Sequence, residues 1–146
     1  MAGLKLYGID DLNRMFEKIG SIPDSVLSDA LQEMAQVACE KIRSQGESMG
    51  VRDPESDVHI LDKIQLSGKP KKTNLGGYQN ISFGGSRTRG RNRTKTRNAE
   101  IAFVNEYGKR GQPARQFIRT ALSKDETAIC APGIRIINDW IEENSK

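Results

Sequence analysis

Basic residues occupy every second position in one short stretch of this 146-residue chain, whose sequence there is SRTRGRNRTKTRN. They are Arg87, Arg89, Arg91, Arg93, Lys95 and Arg97. In an extended backbone successive side chains alternate between two sides, so all six are predicted to project from one edge. A row of positive charges can follow a phosphate backbone, and such binding weakens as salt is added. No aromatic residue lies between the arginines, so base stacking and sequence reading are not expected.

Three surroundings suit this row of charges. It can contact nucleic acid, it can fold against an acidic protein surface, or it can remain a solvated hairpin tip with no apolar anchor. Residues 63 to 98 contain ten Lys or Arg and no Asp or Glu, whereas the rest of the chain holds 13 of the 23 basic residues and all 19 acidic ones. This asymmetry indicates a partner for the middle segment. The candidate contacts therefore also include Lys69, Lys71 and Lys72.

Few residues could carry catalysis or hold a metal or a cofactor. His59 is the only histidine, and the alternating acids before it lack the glycine and the bidentate Glu of an EF-hand. Cys39 and Cys130 are interpreted as small buried thiols. The chain contains no Cys-x-x-Cys pair, no G-x-S-x-G motif and no Walker glycine loop. We therefore predict no catalytic residue, no metal, no cofactor and no enzymatic activity.

The elements that position these residues begin with helices. A short helix is predicted over residues 10–19, and a longer amphipathic helix is predicted from Pro23 to about Gln45, ending before Gly46. Strands are predicted at residues 64–67 and 77–83. The polar, low-complexity segment at about 84–98 is predicted to be a flexible basic loop. Apolar residues at helical spacing define the long helix: Leu27, Leu31, Met34, Ala38 and Ile42.

Residues 100–122 form the most informative part of the chain. Apolar side chains on both faces predict a largely buried strand over residues 100–107. Gly108 and Gly111 then break the chain, and Pro113 suits the first turn of a helix. A buried strand is thus predicted to pass through a tight basic loop into an amphipathic helix. The apolar residues of that helix are Phe117, Ile118, Ala121 and Leu122.

Some side chains of these elements are predicted to be buried. Glu106 is the one carboxylate within the apolar stretch, so it is expected to pair with Arg115 or Arg119 across the loop. The residues expected to form the core between the long helix and the sheet are Leu31, Met34, Ala38, Ile101, Phe103 and Phe117.

Helices at both ends and strands in the middle indicate an α+β fold. We expect a single domain over residues 1–146, with a small antiparallel sheet of about three to four strands. This sheet is expected to pack against the long helix of the N-terminal half and against C-terminal helices, the last of which should break or kink at Pro132-Gly133. No stretch approaches the length of a membrane span, and the N-terminus lacks the apolar region of a signal peptide. The protein is therefore expected to stay in the cytoplasm.

The order of residues 103–122 resembles the signature of the neck proteins of long-tailed bacteriophages, the head-tail connector, head-tail joining or tail-completion family. Members show an aromatic-rich strand that ends in a Val-Glu-Phe-Gly-like turn, then a Gln-Pro-Ala-Arg-Pro-Phe-like helix start and a Leu-capped helix. Gln116 replaces the second Pro of that pattern. The matching residues are Phe103, Val104, Glu106, Tyr107, Gly108, Gln112, Pro113, Ala114, Arg115, Phe117 and Leu122.

The resemblance implies a structural virion protein that forms a ring of identical subunits around the DNA channel. Its implied partners are portal, adaptor or head-closure proteins on one side and the tail terminator or tail tube on the other. It implies a location in the virion neck, and in the host cytoplasm during assembly. Residues 69–97 would face the DNA passage or an acidic neighbouring ring. The alternative function is a small non-sequence-specific nucleic-acid-binding protein that acts through the same segment.

Residues 106–115 are predicted to form a rigid turn at a subunit edge, because two glycines and a proline fix the backbone there, and we refer to residues 106–117 as the signature loop. Its predicted interface residues are Glu106, Tyr107, Gly108, Gln112, Pro113, Arg115 and Phe117.

Overall fold

A computed structural model describes residues 22–51, 60–74, 76–89 and 94–145 of the chain. These ranges contain four α-helices and two two-stranded antiparallel sheets, which confirms the predicted α+β class. The predicted helix over residues 10–19, His59, Arg91 and Arg93 lie outside the described residues.

Helix α1 (Asp24–Ser48) is the longest element, and the 3₁₀ turn, the first pair of strands and the last two helices pack against it. Asp24 places a carboxylate in its first turn, where the helix dipole favours negative charge. The helix passes through Gly46, where the sequence predicted its end. A Cβ atom at Gly46 would lie only 2.6 Å from a methyl group of Leu61 and 3.2 Å from the ring of Phe117. The glycine therefore permits close packing within the helix instead of ending it.

Four strands form two separate hairpins in the described part of the chain. A 3₁₀ turn (Ile60–Lys63) leads into β1 (Ile64–Thr73), which pairs with β2 (Gly76–Phe83) and carries an irregularity between Ser67 and Lys71. This first hairpin packs on α1, as the sequence predicted for the sheet.

The second hairpin consists of β3 (Ser86–Arg89) and β4 (Thr94–Arg97). It lies in the segment 84–98 that the sequence predicted to be a loop, so strand pairing extends over much of that segment. We refer to it as the basic hairpin.

The predicted strand over residues 100–107 is wrong, because these residues belong to helix α2 (Asn98–Tyr107). Ile101 and Asn105 lie four residues apart on the buried face, and Phe103 and Tyr107 lie four apart on the exposed face. The same residues also satisfy the two-residue alternation of a strand, and a short apolar segment does not distinguish the two periods. Helical spacing brings Ile101, Ala102, Asn105 and Glu106 to the buried side, so burial, not intrinsic propensity, selects the helix.

Two further helices complete the fold: α3 (Phe117–Lys124), as predicted, and α4 (Glu126–Glu143). The chain breaks between them at Asp125, whereas Pro132 and Gly133 lie inside α4 and are buried. Gly133 packs directly against Met34 of α1, with no room for a Cβ atom. None of the helices in the described ranges combines the length and the apolar character that a membrane crossing needs.

The core lies where α1, the 3₁₀ turn, β1, α2 and α3 meet. The prediction of buried Ala38, Ile101 and Phe117 is confirmed, and the Phe117 side chain is completely inaccessible to solvent. Leu31 and Met34 are only partly buried. Phe103 was predicted wrongly, since 61% of its surface is exposed once residues 98–107 form a helix.

Candidate functional site

Glu106 points inward from α2 and binds the first turn of α3. Its side chain is 6% exposed, and its two carboxylate oxygens accept hydrogen bonds from the backbone N–H groups of Ile118 (2.8 Å) and Arg119 (3.1 Å). The residue preceding α3, Gln116, provides no side-chain cap. A carboxylate at a helix N-terminus satisfies otherwise unpaired N–H groups and interacts favourably with the helix dipole. Of its two predicted partners, Glu106 binds Arg119, but through the Arg119 backbone N–H and not through a pair of charged side chains.

Arg115 instead binds Asn105, the residue next to Glu106. The Arg115 Nη1 atom donates to Asn105 Oδ1 at 2.7 Å, and the Arg115 backbone N–H donates to the Asn105 carbonyl at 2.8 Å. The Gln116 N–H donates to the Glu106 carbonyl at 3.2 Å. These bonds fasten the end of the signature loop to the last turn of α2. The sequence does not reveal Asn105 as the partner of Arg115, because in the predicted strand Asn105 is one of the residues that alternate between the two faces.

The signature loop turns tightly after α2. Gly108 has a φ of +79°, and a Cβ atom there would lie 2.7 Å from the backbone nitrogen of Ala114. Lys109 and Gln112 exchange two backbone hydrogen bonds of 2.9 Å each across Arg110 and Gly111. Gly108 thus lets the backbone before the turn approach the backbone after it closely. The loop is a small closed turn with the side chains of Lys109 and Arg110 exposed at its tip.

Gln116 distinguishes this turn from the family pattern. Its φ of 51° and ψ of 39° are left-handed, and it is the one non-glycine residue with positive φ in the described ranges. Proline has φ near −65° and no N–H, so it could neither adopt this conformation nor donate to the Glu106 carbonyl. A proline at this position would therefore not fit the local backbone.

The outer face of α2 exposes two large aromatic side chains. Phe103 is 61% exposed and Tyr107 is 62% exposed, and their ring centroids lie 4.7 Å apart. Ala99 is exposed one turn before Phe103. A shallow groove of about 460 Å³, lined in part by Ala99, Phe103 and Val104, runs beside them. We call Ala99, Phe103 and Tyr107 the aromatic face of α2.

The basic hairpin does not place its charges on one side. Its register pairs Arg87 with Thr96 and Thr88 with Lys95, so each pair joins an odd-numbered residue to an even-numbered one. Paired residues of antiparallel strands lie on the same face, and the faces alternate along each strand. Arg87 therefore lies on the face opposite to Lys95 and Arg97. The prediction that all the charges project from one edge is wrong, because it treated the segment as a single extended strand.

The inner face of the basic hairpin is fastened to the body. Arg87 Nε donates to Asn98 Oδ1 at 3.0 Å, and Asn98 Nδ2 donates to the Gly84 carbonyl at 2.7 Å. Asn98 is buried at the start of α2, and its N–H donates to the Gly85 carbonyl. This Asn98 junction links both ends of the hairpin to the helix that follows.

The outer face of the basic hairpin carries exposed cations. Lys95 is exposed, and Arg97 pairs with Glu100 at 2.9 Å on the surface. The backbone of Arg89 belongs to β3, but its side chain lies outside the described residues.

The three predicted lysines lie on β1. Lys69 and Lys71 are exposed. Lys72 is paired with Asp24 at 2.9 Å, which joins the first hairpin to the start of α1. The predicted basic residues therefore have different surroundings: Lys72 and Arg97 are exposed but paired with acids, and Arg87 is partly buried against the body.

Metal-binding and nucleophilic groups are scattered. The described residues contain no cluster of three or more His, Cys, Asp or Glu side chains suited to a metal ion. Burial raises the pKa of the Cys39 thiol, which lies in the core. Cys130 is partly buried on α4.

Comparison of the sequence with protein-family models and with curated proteins finds no match, and comparison of the structure with solved structures finds none either.

Proposed function

We propose that this chain is a non-enzymatic neck protein of a tailed phage or prophage. It joins the portal side of the head to the tail as part of a ring of identical subunits around the DNA channel. The observation that carries the proposal is the construction of the signature loop. The residues that match the family pattern hold this loop in one shape: Glu106 caps α3, Gly108 permits the close backbone approach, Arg115 ties the loop to α2, and Phe117 anchors it in the core.

The aromatic face of α2 supports a role in assembly. Large exposed aromatic side chains that lie together on a rigid element are characteristic of protein–protein contacts. Here the Phe103 and Tyr107 rings lie in tilted contact on the last turns of α2, and Tyr107 belongs to the signature loop, so the bonds that fasten the loop to α2 also fix the direction in which these rings point. A subunit edge at this position agrees with the interface that the resemblance implies.

The partners that the resemblance implies are portal, adaptor or head-closure proteins on the head side and the tail terminator or tail tube on the tail side. The exposed cations Lys69, Lys71, Lys95 and Arg97 would face the DNA passage or an acidic neighbouring ring. In this proposal the chain resides in the virion neck, and in the host cytoplasm before assembly.

The direct test uses the phage or prophage that encodes the chain. Deletion of its gene should yield filled heads and complete tails that do not join, and the wild-type chain supplied from a plasmid should restore joined particles. Immunogold labelling of a tagged chain should mark the head–tail junction. Normal infectious particles without the chain would overturn the proposal.

The second candidate, a free nucleic-acid-binding protein, is favoured by the exposed outer face of the basic hairpin. Lys95 and Arg97 could contact backbone phosphates in a salt-sensitive manner. Binding of the free protein to duplex DNA at micromolar concentration, lost as salt is raised, would favour this candidate if gene deletion left particles intact.

The chemical nature of the contact is tested by replacing Arg89, Arg91 and Arg93 together, first by Gln and then by Lys. An electrostatic contact predicts that the Gln variant loses function and the Lys variant retains it. Equal loss in both variants would indicate a geometric, bidentate contact of Arg. Full activity of both would show that these three arginines are merely solvated.

A further inference from the structure

We infer that the aromatic face of α2 binds the outer face of α4 in a second copy of this chain, in a head-to-tail contact. The inference rests on the proposed function in one respect: the ring that such contacts would close is the ring of the neck protein. The contact itself is a property of the isolated protein and can be measured without phage particles.

The first surface combines apolar side chains with positive charge. Phe103 and Tyr107 form its centre, and the exposed cations Lys109 and Arg110 follow directly in the signature loop. Neither cation forms a salt bridge within the described part of the chain. Arg97, at the other end of α2, has its charge offset by Glu100. The surface therefore has an excess of positive charge at the C-terminal end of α2.

The second surface combines apolar side chains with negative charge. Ile134 is 56% exposed on α4, with Ala131 and Asn138 exposed beside it on the same helix face. No residue between Ile134 and Ser145, the described end of the chain, is fully buried, although this segment contains four isoleucines and the only tryptophan. The charged residues exposed there are Arg135, Asp139, Glu142 and Glu143, with a negative excess.

Charge decides between a symmetric and a head-to-tail contact. If two copies met symmetrically through α2, the positive excess of both copies would enter one interface, where the exposed carboxylate of α2, Glu100, is already paired with Arg97. Like charges brought together in an interface are strongly unfavourable. The last turns of α4, beyond the exposed Ile134, carry the opposite net charge, so the two surfaces are complementary both in apolar area and in charge.

The two surfaces lie on different elements of one subunit. Helix α4 packs along α1 within its own subunit, which leaves Ile134 outside that contact. A subunit with two different complementary surfaces can bind a neighbour on each side, and such contacts close into a ring or continue as a filament.

The experiment uses two single variants of the full chain, Phe103→Glu and Ile134→Lys. Each substitution places at the centre of one surface a charge that repels the opposing surface, and both sites are more than half exposed, so thermal unfolding should be unchanged. Sedimentation velocity over a range of micromolar concentrations should show that the wild-type chain self-associates. Each variant alone should associate at least about tenfold more weakly, as for the loss of a central interface residue.

The mixture of the two variants is decisive. The Phe103→Glu copy keeps an intact α4 face, the Ile134→Lys copy keeps an intact aromatic face, and the two introduced charges are opposite in sign, so an equal mixture should recover the association that neither variant shows alone. If Ile134→Lys associates like the wild-type chain while Phe103→Glu does not, the contact is symmetric and the inference is wrong. A wild-type chain that stays monomeric at all concentrations also overturns it.

The control is the exposed acidic face of α1, represented by Glu33→Lys and Glu40→Lys. These variants reverse charge on a helix surface outside the proposed contact, and they should associate like the wild-type chain. If these control variants fail to associate, the contact lies on α1, and the assignment of the contact to α4 is wrong. Intact self-association together with normal particles after gene deletion would instead refute the proposed function alone.

Discussion

Replacing Glu106 by glutamine tests whether this carboxylate stabilises the signature loop. Glutamine keeps the shape of the side chain, but it removes the negative charge and turns one acceptor oxygen into an NH₂ group. Two charge-assisted hydrogen bonds, to the N–H groups of Ile118 and Arg119, are weakened or lost. A hydrogen bond to a charged group contributes about 1.5–3 kcal/mol, and the helix dipole adds about 0.3–1 kcal/mol. Because glutamine retains one acceptor, we expect a net loss of about 2–3 kcal/mol in the free energy of unfolding.

Urea denaturation followed by circular dichroism measures this loss directly. For a chain of this size it corresponds to a melting temperature lower by about 5–10 °C. The matched control is Glu100→Gln in the same helix, where the carboxylate is exposed and paired with Arg97. That change should cost less than about 1 kcal/mol, as for other surface ion pairs. If the Glu106 variant unfolds at the same urea concentration as the control, Glu106 does not act as a stabilising cap.

Other substitutions and reagents probe the turn and the core. Gly108→Ala should destabilise the fold by at least about 2 kcal/mol in thermal melts, because its left-handed φ and a close backbone contact both oppose a Cβ atom. Gly111→Ala should lower the free energy of unfolding less, because Gly111 has a similar φ but open space around it. Gln116→Gly should stabilise the fold by about 0.5–1 kcal/mol, since glycine adopts this φ without strain; a lower melting temperature would contradict this. A thiol reagent at pH 7.5 should modify Cys130 well before Cys39, because burial raises the pKa of the Cys39 thiol; equal rates by mass spectrometry would contradict the buried assignment.

The class of the fold and much of the core could be predicted from the sequence. The long helix and the α3 helix follow from apolar residues at regular spacing, and Ala38 and Phe117 are buried as that spacing requires. Such predictions succeed where one period is sustained over several turns. Gly46 is predicted to end a helix and Pro132-Gly133 to break or kink one, whereas helices continue through both positions, which excludes the end and the break.

The candidate site was harder to predict, because its geometry depends on contacts distant in sequence. A helix in place of the expected strand turned Phe103 from a core residue into a surface residue. The partners of Glu106 are backbone amides more than ten residues away, which side-chain chemistry alone does not reveal. The faces of the basic hairpin depend on the register of pairing, which no property of a single strand specifies.

The Asn98 junction gives the two strands of the basic hairpin different freedom to change during evolution. Position 87 is tied to position 98 through the bond between the guanidinium and the amide, and position 98 is tied to the backbone at Gly84. A substitution at position 87 or 98 therefore needs a compensating change at the other, so these two should co-vary among homologous chains. Position 95 is exposed on the outer face and can change alone to suit a new partner, whereas position 97, on the same face, is coupled to Glu100 through their ion pair. Selection on binding can thus act on one strand while the other preserves the fold.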